Sequence, residues 1–152
     1  MSAGYCLVTS AVRDNMRLIA VVLGTTSEAA RASASQALLN YGFRFFETHK
    51  LYDAGARLTD ARVWKGASDA VPLGLDNTLY ITVPRGRYQA LDASMEIQKT
   101  IVAPVTEGMS YGSVQVRLDG NLLADPPLVA LQPVAEGSFW QRIVDEAMLY
   151  LE

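Results

Sequence analysis

The order of residues predicts an α+β fold. A β-hairpin and one helix occupy residues 1–50, a small all-β sandwich-like domain follows over 51–137, and a short amphipathic helix closes the chain over 138–152. Three observations carry this expectation. Two β-branched runs, Tyr5 to Val12 and Arg17 to Leu23, flank a polar turn. Apolar residues then recur at steps of three and four as far as Phe45, and beyond Leu51 that period gives way to short alternating runs.

The hairpin comes first. Arg13-Asp14-Asn15-Met16 joins the two runs, and its Asp-Asn pair suits a tight turn. Both strands are apolar on two faces, which suits a central place in a covered sheet. An isolated two-stranded hairpin is marginal in water, so partners are expected. Cys6 lies in this apolar run and reads as a packed, inert thiol.

Gly24 leads into Thr25-x-x-Glu28, a capping-box pattern. Ala30, Ala34, Ala37, Leu38, Tyr41 and Phe45 follow at helical spacing, predicting an amphipathic helix from about Glu28 to Glu47 with those residues on its buried face. Gly42 inside it costs roughly 1 kcal/mol relative to alanine, which implies that something packs closely at that point. A domain boundary falls near His49 to Tyr52.

The second domain is read from alternation. Leu79-Ile81-Val83, Leu91-Ala93-Met95-Ile97 and Val114-Val116-Leu118 each alternate with polar neighbours, as half-buried strands do. Asp119-Gly120 is a hairpin turn signal. Ser138 then suits an N-cap, and Phe139, Trp140, Ile143, Val144, Ala147, Met148 and Leu151 return to helical spacing.

Composition excludes several classes of function. Thirteen basic against sixteen acidic residues, with no cluster of cations, argue against nucleic-acid binding. The apolar stretch Leu18 to Leu23 is too short to span a bilayer, and no basic segment marks a signal peptide at Met1-Ser2-Ala3-Gly4. A strand beginning directly after that short start reads as a cut chain. His49 is the lone histidine and Cys6 the lone cysteine, so no metal set is legible, no cofactor motif appears, and His49 is expected to be structural. The glycines at 108 and 112 lack a following lysine and read as a turn. Arg85 and Arg87, flanking Gly86 after Pro84, admit two readings: a site for an anion at a turn, or a solvated connection. Arg31 on its own is an unremarkable helix-surface arginine.

Several strings in order carry a resemblance. They are Ala3-Gly4-Tyr5-Cys6-Leu7-Val8, Met16 to Gly24, and Leu38-Leu39 with Tyr41-Gly42-Phe43-Arg44-Phe45-Phe46-Glu47. Tyr80 to Arg87, Leu118-Asp119-Gly120, Pro127 to Gln132 and Glu136 to Trp140 continue the series. Together they resemble the low-molecular-mass penicillin-binding proteins, serine-type D-alanyl-D-alanine carboxypeptidases that trim peptidoglycan. The resemblance implies that residues 1–50 are the tail of a transpeptidase/β-lactamase-like catalytic domain and that the β-rich remainder is the family's second domain. It also implies a periplasmic location, a peptidoglycan peptide as substrate of the missing half, and no cofactor.

The family mechanism uses Ser-x-x-Lys, Ser-x-Asn and Lys-Thr-Gly. None of the three occurs in these residues, and Lys99-Thr100 continues to Ile101. No catalytic residue is therefore assigned, and the chain is expected to serve as a structural or stalk region; the alternative is a standalone β-rich spacer or interaction module. One residue is carried over: counting back from Gly42, Arg31 matches a family arginine that binds the terminal carboxylate of the substrate. Two partner expectations complete the reading. Residues 139–152 could lie on the inner membrane, although Asp145, Glu146 and Glu152 against the single Arg142 oppose anionic lipid. Residues 5–47 carry enough unpaired apolar surface to self-associate.

Overall fold

A computed structural model of the chain describes residues 4–139. In chain order its elements are β1 (Tyr5–Arg13), β2 (Met16–Thr25), α1 (Glu28–Phe45), β3 (Phe46–Tyr52), β4 (Thr59–Trp64), β5 (Ala70–Gly74), β6 (Leu79–Pro84), β7 (Leu91–Ile97), β8 (Ile101–Val102), β9 (Ser110–Leu118), β10 (Asn121–Ala124) and β11 (Pro127–Ala130). They form two compact units. Among the described residues the first comprises 4–49 with Tyr80–Gln89, and the second Lys50–Leu79 with 90–139.

In the first unit β1 and β2 pair antiparallel, with Val8 opposite Val21 and Arg13 opposite Met16. Asp14 and Asn15 both take positive φ, 47° and 64°, the handedness that matches the twist of a two-residue hairpin. Helix α1 lies across one face of this ribbon. Its N-cap is Ser27, whose hydroxyl accepts from the Ala30 amide at 3.1 Å. Thr25 does not cap the helix; its hydroxyl donates to the Tyr5 carbonyl at 2.9 Å and so ties the end of β2 to the start of β1. The helix stops at Phe45, because Phe46 is already extended (φ −123°, ψ 159°) and begins β3.

The face that α1 buries is not the one its apolar spacing suggests. Leu38 and Tyr41 are 51% and 59% exposed, and Phe45 is exposed beside Tyr41, their ring centroids 4.7 Å apart. The buried residues are Ser35 and Phe43. Both helix faces carry large apolar side chains, so periodicity alone does not choose between them. Close approach and a polar contact favour the second. Ser35 is buried against the Thr9 hydroxyl, in hydrogen-bonding contact. A Cβ on Gly42 would stand 2.4 Å from Leu18 Cδ1, so the glycine lets the helix backbone sit directly on β2. The packing that Gly42 signals is therefore made within the first unit.

The opposite face of the ribbon is open. Val8, Val12, Ile19, Val21 and Leu23 lie on it, Val12 and Leu23 being 69% and 70% exposed. Cys6 alternates onto the same face and is exposed, contrary to the packed thiol expected from its apolar neighbours. The apolar run forms a strand, but only one of its faces is covered here.

The chain leaves the first unit along β3, which pairs with β6 in a two-stranded ribbon. In the second unit a single seven-stranded sheet curls around its own core, where the sequence suggested a sandwich. Strand β9 is its spine. One edge pairs along β7, with Leu91 opposite Leu118, and the other is shared in succession by β10 and β11. Strand β5 follows β11, β4 follows β5, and β8 joins β4 in parallel. Asp119 and Gly120 form the β9–β10 turn at φ 51° and 79°, as their order predicts. Val71, Leu73, Leu75, Ile101, Val114, Val116 and Leu128 are fully buried. The alternation read from β6 and β9 matches their burial; β7 is an edge strand on which Ala93 and Met95 remain exposed. The expected C-terminal helix, and with it the membrane contact through 139–152, falls beyond Phe139 and outside the described residues.

Candidate functional site

Two clusters of polar side chains lie at opposite ends of α1. At the N-terminal end is Arg31, one turn past the Ser27 cap, with its amide donating to the Ser27 carbonyl at 3.1 Å. Its side chain folds back on β1. Nη1 donates to the Cys6 carbonyl at 3.2 Å, Nη2 to Glu28 Oε1 at 3.0 Å, and the guanidinium carbon lies 5.6 Å from the centroid of the Tyr5 ring. The side chain is 29% exposed. It is thus oriented by three partners on two elements. A guanidinium has five N–H donors, so each terminal nitrogen retains a second one to offer. The Glu28–Arg31 spacing is the familiar i, i+3 pair of a helix surface; the approach to Tyr5 and Cys6, some twenty-five residues away in sequence, has no local signal.

At the C-terminal end a cleft of about 160 Å³ is lined by residues that include Arg13, Phe43, Glu47, His49 and Arg85. Arg85 closes the helix: Nε donates to the Arg44 carbonyl at 3.1 Å, Nη2 to Phe43 at 2.9 Å, and the backbone amide to Phe45 at 2.9 Å. A cation on the last carbonyls satisfies groups that a helix leaves unpaired and complements its dipole. Neither reading of the Arg85–Arg87 pair, anion site or solvated connection, anticipates this role of Arg85 at the helix end. Glu47 sits beside it, accepting from the Gly86 amide at 3.0 Å, with Arg85 Nη1 3.6 Å away. His49 stacks on Tyr88 at 4.1 Å, and its Nε2 is 3.3 Å from Glu47 Oε1. Arg13 lies over the Phe43 ring at 4.6 Å.

The Gly86 amide, then His49 and the Arg85 charge, hold the Glu47 carboxyl below the ordinary value of 4.5, with burial opposing them. A carboxylate depressed on folding stabilises above its unfolded pKa, and that contribution is lost as pH falls through the folded value. Glu47→Gln is therefore expected to lower the urea midpoint near pH 7, with the gap to wild type closing as pH drops below about 4.5. Urea titrations across that range check this; a constant gap would place the effect elsewhere.

Among the described residues no three His, Cys, Asp or Glu side chains gather as a metal site, and no helix is long and apolar enough to cross a membrane. His49 stacks on Tyr88, and its buried Nε2 lacks a hydrogen-bond partner among the described residues.

The family described as penicillin-binding protein 5, C-terminal domain, matches residues 46–136. The D-alanyl-D-alanine carboxypeptidase DacA of Escherichia coli K12 is 40% identical over 144 residues, covering 94% of this chain and 36% of that protein. DacA of Haemophilus influenzae is 36% identical over 149 residues, covering 97% of this chain and 38% of that protein. The chain thus spans a little over a third of the curated relatives it matches. Among solved structures, penicillin-binding protein 5 from Haemophilus influenzae superposes with a TM-score of 0.82 at 38% identity, covering 88% of this chain and 40% of that one.

Proposed function

We propose, since this chain belongs to the D-alanyl-D-alanine carboxypeptidase family of low-molecular-mass penicillin-binding proteins and matches its C-terminal portion, that it serves in a serine-type carboxypeptidase of peptidoglycan remodelling. Its part is structural and substrate-positioning. The first unit completes a catalytic domain whose nucleophile lies elsewhere, and the second is a β-rich stalk. The enzyme works in the periplasm on peptides ending in D-Ala-D-Ala.

The observation that carries this reading is the pairing of an open sheet face with an anchored cation. Val8, Val12, Ile19, Val21 and Leu23 form an exposed apolar surface where the rest of a domain would pack, and Arg31 is fixed by Cys6, Glu28 and Tyr5 at the start of the same ribbon. A planar fork of donors suits a peptide's terminal carboxylate.

Fluorescent penicillin tests the assignment. The full-length protein carrying this chain is expected to be acylated and to release D-alanine from a D-Ala-D-Ala peptide, whereas these 152 residues alone remain unlabelled. Labelling of the chain alone would overturn it, because it contains no Ser-x-x-Lys.

The same open face supports self-association of the isolated chain through residues 5–47. Sedimentation velocity should show a concentration-dependent dimer, weakened by Val12→Lys on the exposed face; a monomer at every concentration refutes it.

A further inference from the structure

Glu28 is the one partner of Arg31 that is free to leave it. Its carboxylate lies 3.0 Å from Nη2, yet the side chain is 80% exposed. The other two partners belong to β1: the Cys6 carbonyl is backbone, and Tyr5 presents its ring. Glu28 is also not needed to cap the helix, since the Ser27 hydroxyl receives the Ala30 amide. Its acidity at the first turn favours the helix dipole, but that contribution is modest and independent of Arg31.

A carboxylate ligand prefers two parallel bonds from one guanidinium edge. With Nη1 on Cys6 and Nη2 on Glu28, that edge is already shared by a backbone carbonyl and an internal carboxylate. Each terminal nitrogen keeps a second N–H, but an anion that binds across the Nη1–Nη2 edge competes there with the exposed Glu28 carboxylate.

We propose that Glu28 is an internal competitor for Arg31: it occupies the guanidinium donor that the substrate's terminal carboxylate takes, and so sets the KM. The inference rests on the reading of Arg31 given above. Glu28 is a positioning residue that acts through Arg31, holding the guanidinium in its β1-facing orientation between turnovers and yielding to substrate. Exposed i, i+3 ion pairs are weak, so the competition is small in scale. Removing it should lower KM by about two- to fivefold, the factor such a pair represents.

The test uses the full-length protein and a D-Ala-D-Ala peptide. Glu28→Gln is expected to lower KM with kcat held, to lose that advantage at high salt, and to have no effect on KM in an Arg31→Ala background. If Glu28 served only helix stability, the substitution would move the unfolding midpoint and leave KM unchanged. A KM unchanged by Glu28→Gln while Arg31→Ala raises it would overturn the competitor and keep Arg31. A KM indifferent to both substitutions would overturn the competitor together with the Arg31 reading.

Discussion

Gly112→Ala is expected to lower the unfolding midpoint of the second unit by about 10–20 °C. A Cβ at this position would lie 2.2 Å from the Glu96 carbonyl oxygen and 3.0 Å from Ile97 Cα. Both are backbone atoms of β7, the strand that pairs along one whole edge of β9, with Ile97 opposite Gly112. A side chain could rotate out of the way, but a paired strand must be pushed off its neighbour. Overpacking of this kind costs roughly 1–3 kcal/mol, and with backbone on both sides of the clash the upper half of that range applies. One kcal/mol moves the midpoint of a domain this size by about 4–8 °C. Gly108→Ala provides the contrast. Nothing lies within 4 Å of its added Cβ, and only the positive φ of 80° opposes it, a penalty of roughly 1–2 kcal/mol. Thermal melts of both variants check the ranking. A Gly112→Ala protein as stable as wild type would show that β7 is not held to β9 in this register.

The contrast between these glycines also marks where the sequence was readable. Asp119-Gly120 and Asp14-Asn15 announced their turns because the residue types that tolerate positive φ are few and local. Strands β6 and β9 announced themselves because one face of each is buried and the other is not. Helix α1 was legible in existence and start, but its orientation was not. Leu38, Tyr41 and Phe45 made the more obvious stripe, and the true contact used Ser35, Gly42 and Phe43, whose suitability depends on Thr9 and Leu18 in the hairpin. Cys6 failed for a related reason. Alternation places it on a face, and only tertiary structure says whether that face is covered. At the candidate site, Glu28–Arg31 was within reach of a spacing argument, while Arg85 on the end of α1 joins residues about forty apart and has no local signature. Resemblance located Arg31; the fold supplied the partners that orient it.

Those partners determine what loss of Arg31 should do. In the full-length protein, Arg31→Ala is expected to reduce kcat/KM for a D-Ala-D-Ala peptide by about 10- to 100-fold, since a hydrogen bond to a charged group is worth about 1.5–3 kcal/mol. The side chain also tethers α1 to β1 through the Cys6 carbonyl and Tyr5, so a lower rate alone would not separate binding from folding. Two comparisons do. Arg31→Lys keeps the charge but not the planar fork, and should recover only part of the loss. A peptide with its terminal carboxylate blocked as a methyl ester lacks the anion proposed to meet Arg31, so wild type and Arg31→Ala should turn it over at similar rates. If the variant were merely misfolded, it would lag on both substrates. If kcat/KM for the free acid were unchanged, Arg31 would be a helix tether alone, and the carboxylate would have to be held by residues outside this chain.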